Sequence, residues 1–264
     1  MDLQLTHKKV LITGSTSGIG FEIAKRFLEE GASVTINGRS GGSLQKSMRN
    51  LKESFPDGSM EGIVADFRDS RAHESIIKTL GEVDILINNV GIYASKSFEG
   101  TSDQDWEEMF QVNVMAAVRL SRHYLPQMKK AGWGRILFVS SECAQLVPED
   151  LIAYSTTKAA LLALSRGLAQ TTKGTRVTVN ALIPGSTLTE GAKIFLQQQA
   201  EKENKSPGEI SEEFFQQARP SSLLQRFAKP REVADMALFL SSPLSAATNG
   251  AAIKVDGGSI PGIL

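Results

Sequence analysis

Val10-Leu11-Ile12-Thr13-Gly14-Ser15-Thr16-Ser17-Gly18-Ile19-Gly20 is the stretch on which the fold turns. A short, apolar, β-branched run reads as a buried strand. It breaks at a glycine-rich turn, after which 21–30 carry helical periodicity and Gly31 ends the helix. Glycines between a strand and a helix let backbone N–H groups approach a pyrophosphate, and the helix N-terminus adds a favourable dipole. The spacing is Gly-x-x-x-Gly-x-Gly rather than Gly-x-Gly-x-x-Gly. Without its flanking strand and helix, the same turn would need only a packing role.

Strand and helix alternate outward from this unit. Val34-Thr35-Ile36, 62–65, 83–87, 135–139, 177–182 and 252–255 read as further strands, and 44–54, 70–80, 103–130, 152–172 and 231–240 as helices. Connections are short and no stretch resembles a domain linker. The alternation predicts a single α/β domain over 1–264, doubly wound, with a mostly or wholly parallel sheet and helices on both faces. The rhythm lapses only between β-like 177–182 and 231–240. There, 192–205 and 212–218 read as helices around a break at Ser206-Pro207-Gly208.

Bulk composition narrows the classes of function. The 264 residues are 41% hydrophobic and 22% charged, and 29 Lys+Arg balance 29 Asp+Glu. A neutral chain gives no global attraction to nucleic acid or an anionic membrane. The single cysteine, Cys143, excludes an intrachain disulfide. His7, His73 and His123 lack metal-ligand spacing, so no metal is expected. No apolar run approaches a membrane span, and the polar first nine residues lack the apolar core of a secretory leader; a cytoplasmic protein is expected.

Ligands of a doubly wound sheet bind at the carboxyl ends of the strands, so the residues there are the candidates. The second strand ends at Gly38, where a carboxylate selecting NAD would stand. Arg39 follows, and its guanidinium can pair with the 2′-phosphate of NADP, with Ser40 adding a hydrogen bond. NADP is the expected cofactor, with NAD as the alternative. Asp66, followed by Phe67, suits either an adenine amino group or a helix cap. Asn88-Asn89-Val90-Gly91 ends the fourth strand beside the glycine turn. Tyr154 and Lys158 lie one helical turn apart on one face. A nearby ammonium favours phenolate and is expected to draw the tyrosine pKa down. Ser140 and Ser141 precede them at the end of the fifth strand.

Taken in order, Thr13-Gly14-x-x-x-Gly18-Ile19-Gly20, Asp66, Asn88-Asn89-Val90-Gly91, Asn113, Ser141, Tyr154-x-x-x-Lys158, Asn180 and Pro184-Gly185 resemble the short-chain dehydrogenase/reductase family over nearly the whole chain. The glycine spacing favours its single-domain reductase branch, whose 3-oxoacyl-(acyl-carrier-protein) reductases are similar. Val90 departs from the family's alanine. The resemblance implies a Rossmann-type sheet of order 3-2-1-4-5-6-7. It implies that Tyr154 is the acid/base, that Lys158 lowers its pKa and binds the nicotinamide ribose, and that Ser141 donates to the substrate oxygen. Asn113 would hold a water linking Lys158 to solvent.

The cofactor set implied is Gly14, Ser15, Thr16, Ser17, Gly18, Ile19, Gly20, Gly38, Arg39, Ser40, Asp66, Phe67, Asn89, Val90, Gly91, Tyr154, Lys158, Pro184, Gly185, Thr187, Leu188 and Thr189. Substrate is expected to meet Ser141, Tyr154 and Cys143, the last as a small buried neighbour rather than a nucleophile. A substrate lid is implied over about 190–219, where Ile194, Phe195, Phe214 and Phe215 either line the pocket or pack the lid down. The expected substrate is a small carbonyl or alcohol, or an acyl thioester whose carrier protein would dock on Lys129, Lys130, Arg135 and Arg176. A homotetramer or homodimer is implied through 103–130, 152–172 and the last strand. The rival class is a non-catalytic cofactor-binding regulator or scaffold on the same fold.

Overall fold

A computed structural model describes residues 2–262. β1 (Lys9–Ile12) leads through the glycine turn into α1 (Gly18–Glu29), followed by β2 (Ser33–Gly38), α2 (Gly41–Ser54), β3 (Met60–Val64), α3 (Ala72–Leu80) and β4 (Ile85–Asn88). The second half holds α4 (Asp103–Phe110), α5 (Ala116–Ala131), β5 (Gly134–Val139), α6 (Cys143–Leu146), α7 (Ile152–Gln170) and β6 (Val177–Pro184). It closes with α8 (Glu190–Glu203), α9 (Pro207–Gln217), α10 (Pro230–Ser241) and β7 (Ala252–Val255). The seven strands form one sheet in the order β3-β2-β1-β4-β5-β6-β7, parallel throughout, as expected. The winding reverses between β1 and β4, which opens a crevice at their carboxyl ends.

Side chains alternate across the strands and divide the core in two. Val10, Ile12, Ile85, Ile87, Leu137 and Val139 face α1, α2 and α10, where Ile23, Phe27, Leu51, Val233 and Leu238 pack. Leu11, Leu86, Ile136 and Phe138 face the other way, onto Ile76 of α3, Leu120 and Tyr124 of α5 and Leu161 of α7. A third cluster, Leu196, Ala200 and Ile210, joins α8 to α9. Phe214 stacks on Phe227 at 5.1 Å, and Phe215 is buried against the same ring. Phe214 and Phe215 therefore pack this excursion down, while Ile194 and Phe195 are exposed.

Several boundaries differ from expectation. The helix read over 103–130 is interrupted by a π turn at Gln111–Met115. Apolar periodicity continues through the insertion, so the sequence hides it, and the deviation sits at Asn113. Ser206-Pro207-Gly208 begins α9 rather than breaking the chain. Ser206 and Glu209 form a reciprocal capping box, and proline at the first turn loses no helical hydrogen bond. α6 was not apparent from the sequence.

Tyr124 is fully buried, and its hydroxyl has no hydrogen-bond partner among the described residues. Burial pushes its pKa up to about 12. Removing a buried unsatisfied hydroxyl relieves a desolvation cost on the order of 1 kcal/mol. Tyr124→Phe should therefore raise the denaturant midpoint; a lower midpoint at unchanged slope would show that the hydroxyl is bonded.

Candidate active site

The glycine turn is fixed from two sides. Gly14 has φ +60°, and a Cβ there would stand 2.8 Å from Val90 Cα. Asn89 Nδ2 donates to the Thr13 and Gly14 carbonyls, each at 2.9 Å. The amides of Asn89 and Val90 both donate to Thr13 Oγ1 at 3.0 Å. Behind the turn, Ser15 Oγ donates to Ile12 O at 2.7 Å and accepts from Asn37 N at 2.9 Å. Ser15 is buried by these bonds, and its hydroxyl belongs to the scaffold rather than the cleft surface. Gly20 is equally internal: a Cβ there would collide with Asn89 Nδ2.

An open cleft of about 800 Å³ runs over this turn, bordered by Gly14, Thr16, Ser17, Gly18, Gly38, Arg39, Asp66, Phe67, Asn89, Val90, Gly91, Leu188 and Thr189. Thr189 caps α8, accepting from Ala192 N at 3.3 Å, so the amino ends of both α1 and α8 meet the cleft. Arg39 is exposed on its wall, with no ion pair among the described residues. Ser40 is absent from that wall because it caps α2, accepting from Ser43 N at 3.4 Å. Ser43, Lys46 and Asn50 line the cleft instead. Their spacing of three and four places them on one face of α2, a signal the sequence carried. Asp66 accepts from Arg68 N at 3.1 Å and lies well ahead of α3, so the helix-cap alternative does not hold. Thr187 Oγ1 is turned to Gly185 O at 2.8 Å and is buried away from the cleft.

A smaller cavity of about 180 Å³ adjoins the cleft at Asn89 and Gly91 and is lined by Ile19, Tyr93, Ser140, Ser141, Tyr154, Lys158, Pro184 and Gly185. α7 brings Tyr154 and Lys158 to one wall, with the ammonium 5.6 Å from the tyrosine ring centroid. Lys158 Nζ donates to Val139 O at 2.9 Å. Ser140 Oγ donates to Lys158 O at 2.8 Å and thereby anchors α7 to the end of β5. That leaves Ser141, whose oxygen accepts from Cys143 N at 3.1 Å, as the hydroxyl able to donate into the cavity. Tyr93, missed in the sequence, packs edge-on against Tyr154 with ring centroids 6.0 Å apart. An aromatic just past a strand's carboxyl end was the available signal.

Asn113 is buried beside the cavity. Its Oδ1 accepts from Ile92 N at 2.8 Å, and its Nδ2 donates to Ile92 O and Thr157 Oγ1, each at 2.9 Å. The amide is thus a clamp between the β4 loop and α7. A Cβ on Gly91 would come within 3.2 Å of Lys158 Nζ and 3.6 Å of Asn113 Oδ1. Cys143 does not line the cavity. It is buried beneath the Ser141 turn, where burial pushes its thiol pKa up. The expected substrate contact is corrected on that ground.

The expected fall in the Tyr154 pKa is also corrected. Burial dominates and pushes it up, with Cys143 adding to the rise and the Ser141 hydroxyl opposing it. Burial likewise lowers Lys158, to about 8. Desolvation disfavours whichever form is charged, so phenol and amine move in opposite directions.

The proposed carrier patch fails on geometry. Arg135 is buried and donates to the Ser242, Gly134 and Arg176 carbonyls. Lys129 donates to Thr171 O, and Arg176 to Gly132 O. These residues sit where β5 and β6 begin, at the opposite end of the sheet from Ser141 and Tyr154.

A cleft over a glycine turn at the sheet's switch point, leading to a tyrosine, a lysine and a serine, defines an oxidoreductase of the dinucleotide-binding class. The model of the short chain dehydrogenase family matches residues 8–200, and the chain belongs to that family. An uncharacterized oxidoreductase, YvrD of Bacillus subtilis, is 43% identical over 98% of this chain and 99% of its own length. The 3-oxoacyl-[acyl-carrier-protein] reductase FabG of Aquifex aeolicus is 33% identical over 98% of this chain and 99% of its own. Among solved structures, L-sorbose reductase from Gluconobacter frateurii, complexed with NADPH and L-sorbose, superposes with a TM-score of 0.92 at 31% identity, all of both chains being covered. Among the described residues, no helix is long and apolar enough to cross a membrane.

The Lys158 shift has a sign that can be measured. An unfolded lysine titrates near ~10.4. Between about 8 and that value the unfolded chain binds more protons than the native one, so this lysine makes stability rise with pH. Below about 8 both states are protonated and the burial cost is complete. The denaturant midpoint of the wild type should therefore gain on that of Lys158→Met between pH ~8 and ~10. Parallel pH profiles for the two proteins would overturn the assignment.

Proposed function

We propose that the protein is an NADP(H)-dependent carbonyl reductase. The observation that carries this reading is the joining of two sites: Arg39 and Lys46 at one end of the cleft, and Ser141, Tyr154 and Lys158 in the cavity at the other. The residues fit the cofactor. Gly14 and Gly18 border the cleft without side chains, leaving their backbone open to a pyrophosphate, and the amino ends of α1 and α8 favour its charge. Arg39, with Lys46 nearby, supplies cations for a 2′-phosphate, and no carboxylate stands at Gly38 to repel it. NADPH in the related L-sorbose reductase supports the same choice.

When bound, the reduced nicotinamide supplies a hydride to a carbonyl carbon. Ser141 donates a hydrogen bond to the carbonyl oxygen, where negative charge develops. Tyr154 gives its phenolic proton to that oxygen. Burial keeps Tyr154 protonated, which suits it to the reductive direction. The Lys158 ammonium, 5.6 Å from the ring, stabilises the phenolate left behind. Asn113 holds the β4 loop and α7 at a fixed separation, and so sets the wall on which Tyr154 stands.

A small ketone fits the modest cavity, and a hydroxylated one, such as a keto sugar, is the substrate class we favour, following the similarity to L-sorbose reductase. A 3-oxoacyl thioester is the second reading. The exposed Tyr93 gives the region beside Tyr154 apolar surface, and a FabG is among the relatives. We also propose that the chain is cytoplasmic and associates as a homotetramer or homodimer; Leu223, beside the turn after β7, is 87% exposed and is a candidate contact.

NADPH oxidation against L-sorbose, 5-keto-gluconate and an acetoacetyl thioester tests the reading. Turnover of none, despite tight NADPH binding, would favour a non-catalytic role. Tyr154→Phe should keep NADPH affinity while turnover falls about a hundredfold or more; near-normal turnover would sink the mechanism. Arg39→Ala should weaken NADPH relative to NADH by about tenfold, the scale of one charge-assisted pair. An unchanged ratio would move the 2′-phosphate elsewhere.

A further inference from the structure

Glu142 is a buried charge that the reaction does not use. It is 2% exposed and directly follows Ser141. Its Oε1 accepts from Arg219 Nε at 2.6 Å and from Ser186 Oγ at 3.0 Å. Its Oε2 has no hydrogen-bond partner among the described residues and lies against Gly185, 2.9 Å from where a Cβ there would stand. With side chains 3% and 12% exposed, Glu142–Arg219 is the most deeply buried ion pair among the described residues.

Arg219 comes from the α8–α9 excursion. Its amide donates to Phe214 O at 3.1 Å, its Nη1 donates to Ala218 O at 2.7 Å, and the guanidinium lies 5.6 Å from the Phe214 ring centroid. Its direction is therefore fixed from the α9 side. Just beyond it, the amides of Leu223 and Leu224 donate to Gly257 O at 2.8 and 2.9 Å and tie the chain to the turn after β7. Glu142 is fixed from the other side: its amide donates to Pro184 O at 2.9 Å. The next residue, Cys143, holds the Ser141 oxygen through its amide at 3.1 Å. The chain entering the excursion converges here too, through Ser186.

An uncompensated charge in such a setting is strongly unfavourable, whereas the intact pair is tolerated. Seating of α9 and the conformation of the Ser141 turn are therefore bound into one arrangement. We propose that Arg219 is a positioning residue that acts through Glu142 on Ser141, so that the hydroxyl is correctly placed only when the α8–α9 excursion is seated. This rests on the reading of Ser141 as the donor to the carbonyl oxygen. The pair couples closure to competence, because the contact that holds the excursion down is one residue from the group that polarises the substrate.

Hydrogen exchange on the full-length protein with NADPH present tests the coupling across the two segments. Arg219→Gln should speed exchange by at least about fivefold in the distant turn at 142–147, as well as in 207–224. Glu142→Gln should do the same in 207–224, since coupling between two sites is reciprocal. The double variant should exchange no faster than the worse single variant. Arg219→Lys, which keeps the charge, should return the 142–147 turn to within about twofold of the wild type. Each substitution loosening only its own segment would overturn the proposal, as would a uniform rise that includes β1 and β4. With a carbonyl the wild type reduces, Arg219→Gln should lower kcat by about tenfold while leaving NADPH affinity unchanged; a change in KM alone would overturn it. Absence of wild-type turnover would defeat the carbonyl-reductase reading, while the exchange experiment still decides the coupling.

Discussion

The close approach of the β1 turn to the end of β4 is the constraint on which the rest depends. The Gly14 backbone passes so near Val90 that a methyl group would not fit. Thr13 and Asn89 stitch the two segments together through four hydrogen bonds between side chain and backbone. This contact closes the crevice at the switch point on one side and leaves the α1 amino end facing open space. It also directs the chain after β4 past Gly91 toward Lys158 and Asn113, so the cofactor cleft and the reaction cavity become continuous.

Burial governs the electrostatics of the reaction cavity. Tyr154 and Lys158 share a wall, and burial shifts both toward their neutral forms, yet with its pKa lowered only to about 8 Lys158 remains an ammonium at neutral pH. A protonated tyrosine is the state that the proposed reductive proton transfer needs. The serines divide their work by geometry: Ser140 holds the helix that carries the pair, and Ser141 faces the cavity. Asn113 acts at one remove, since its amide is occupied in joining the β4 loop to α7.

Polar groups that look alike in the sequence separate by what the backbone asks of them. Ser15, Ser40 and Thr187 sit among plausible cofactor contacts, but each satisfies a local backbone need in the turn, the α2 cap or the Gly185 carbonyl. The basic residues Lys129, Arg135 and Arg176 similarly serve carbonyls where β5 and β6 begin. The three hydroxyls find partners two or three residues away, whereas the partners of the basic residues lie more than forty residues off and are brought close only by the completed sheet, so spacing along the chain does not reveal those.

The sequence by itself determined the doubly wound sheet, the place of the glycine turn and the Tyr154–Lys158 pair. Each depends on local periodicity or on residues within one helical turn, and such relations survive without tertiary information. It also carried the order of the strand ends, and with it the family. The resemblance already favoured Ser141 over Ser140; the tertiary structure showed that Ser140 is tied to the Lys158 carbonyl, that Lys46 and Tyr93 join the site, and that Cys143 does not. It alone brought Arg219 against Glu142, seventy-seven residues away in the chain. The direction of the Tyr154 shift was likewise beyond the sequence, because desolvation depends on every atom packed around a group and not on its nearest charged neighbour.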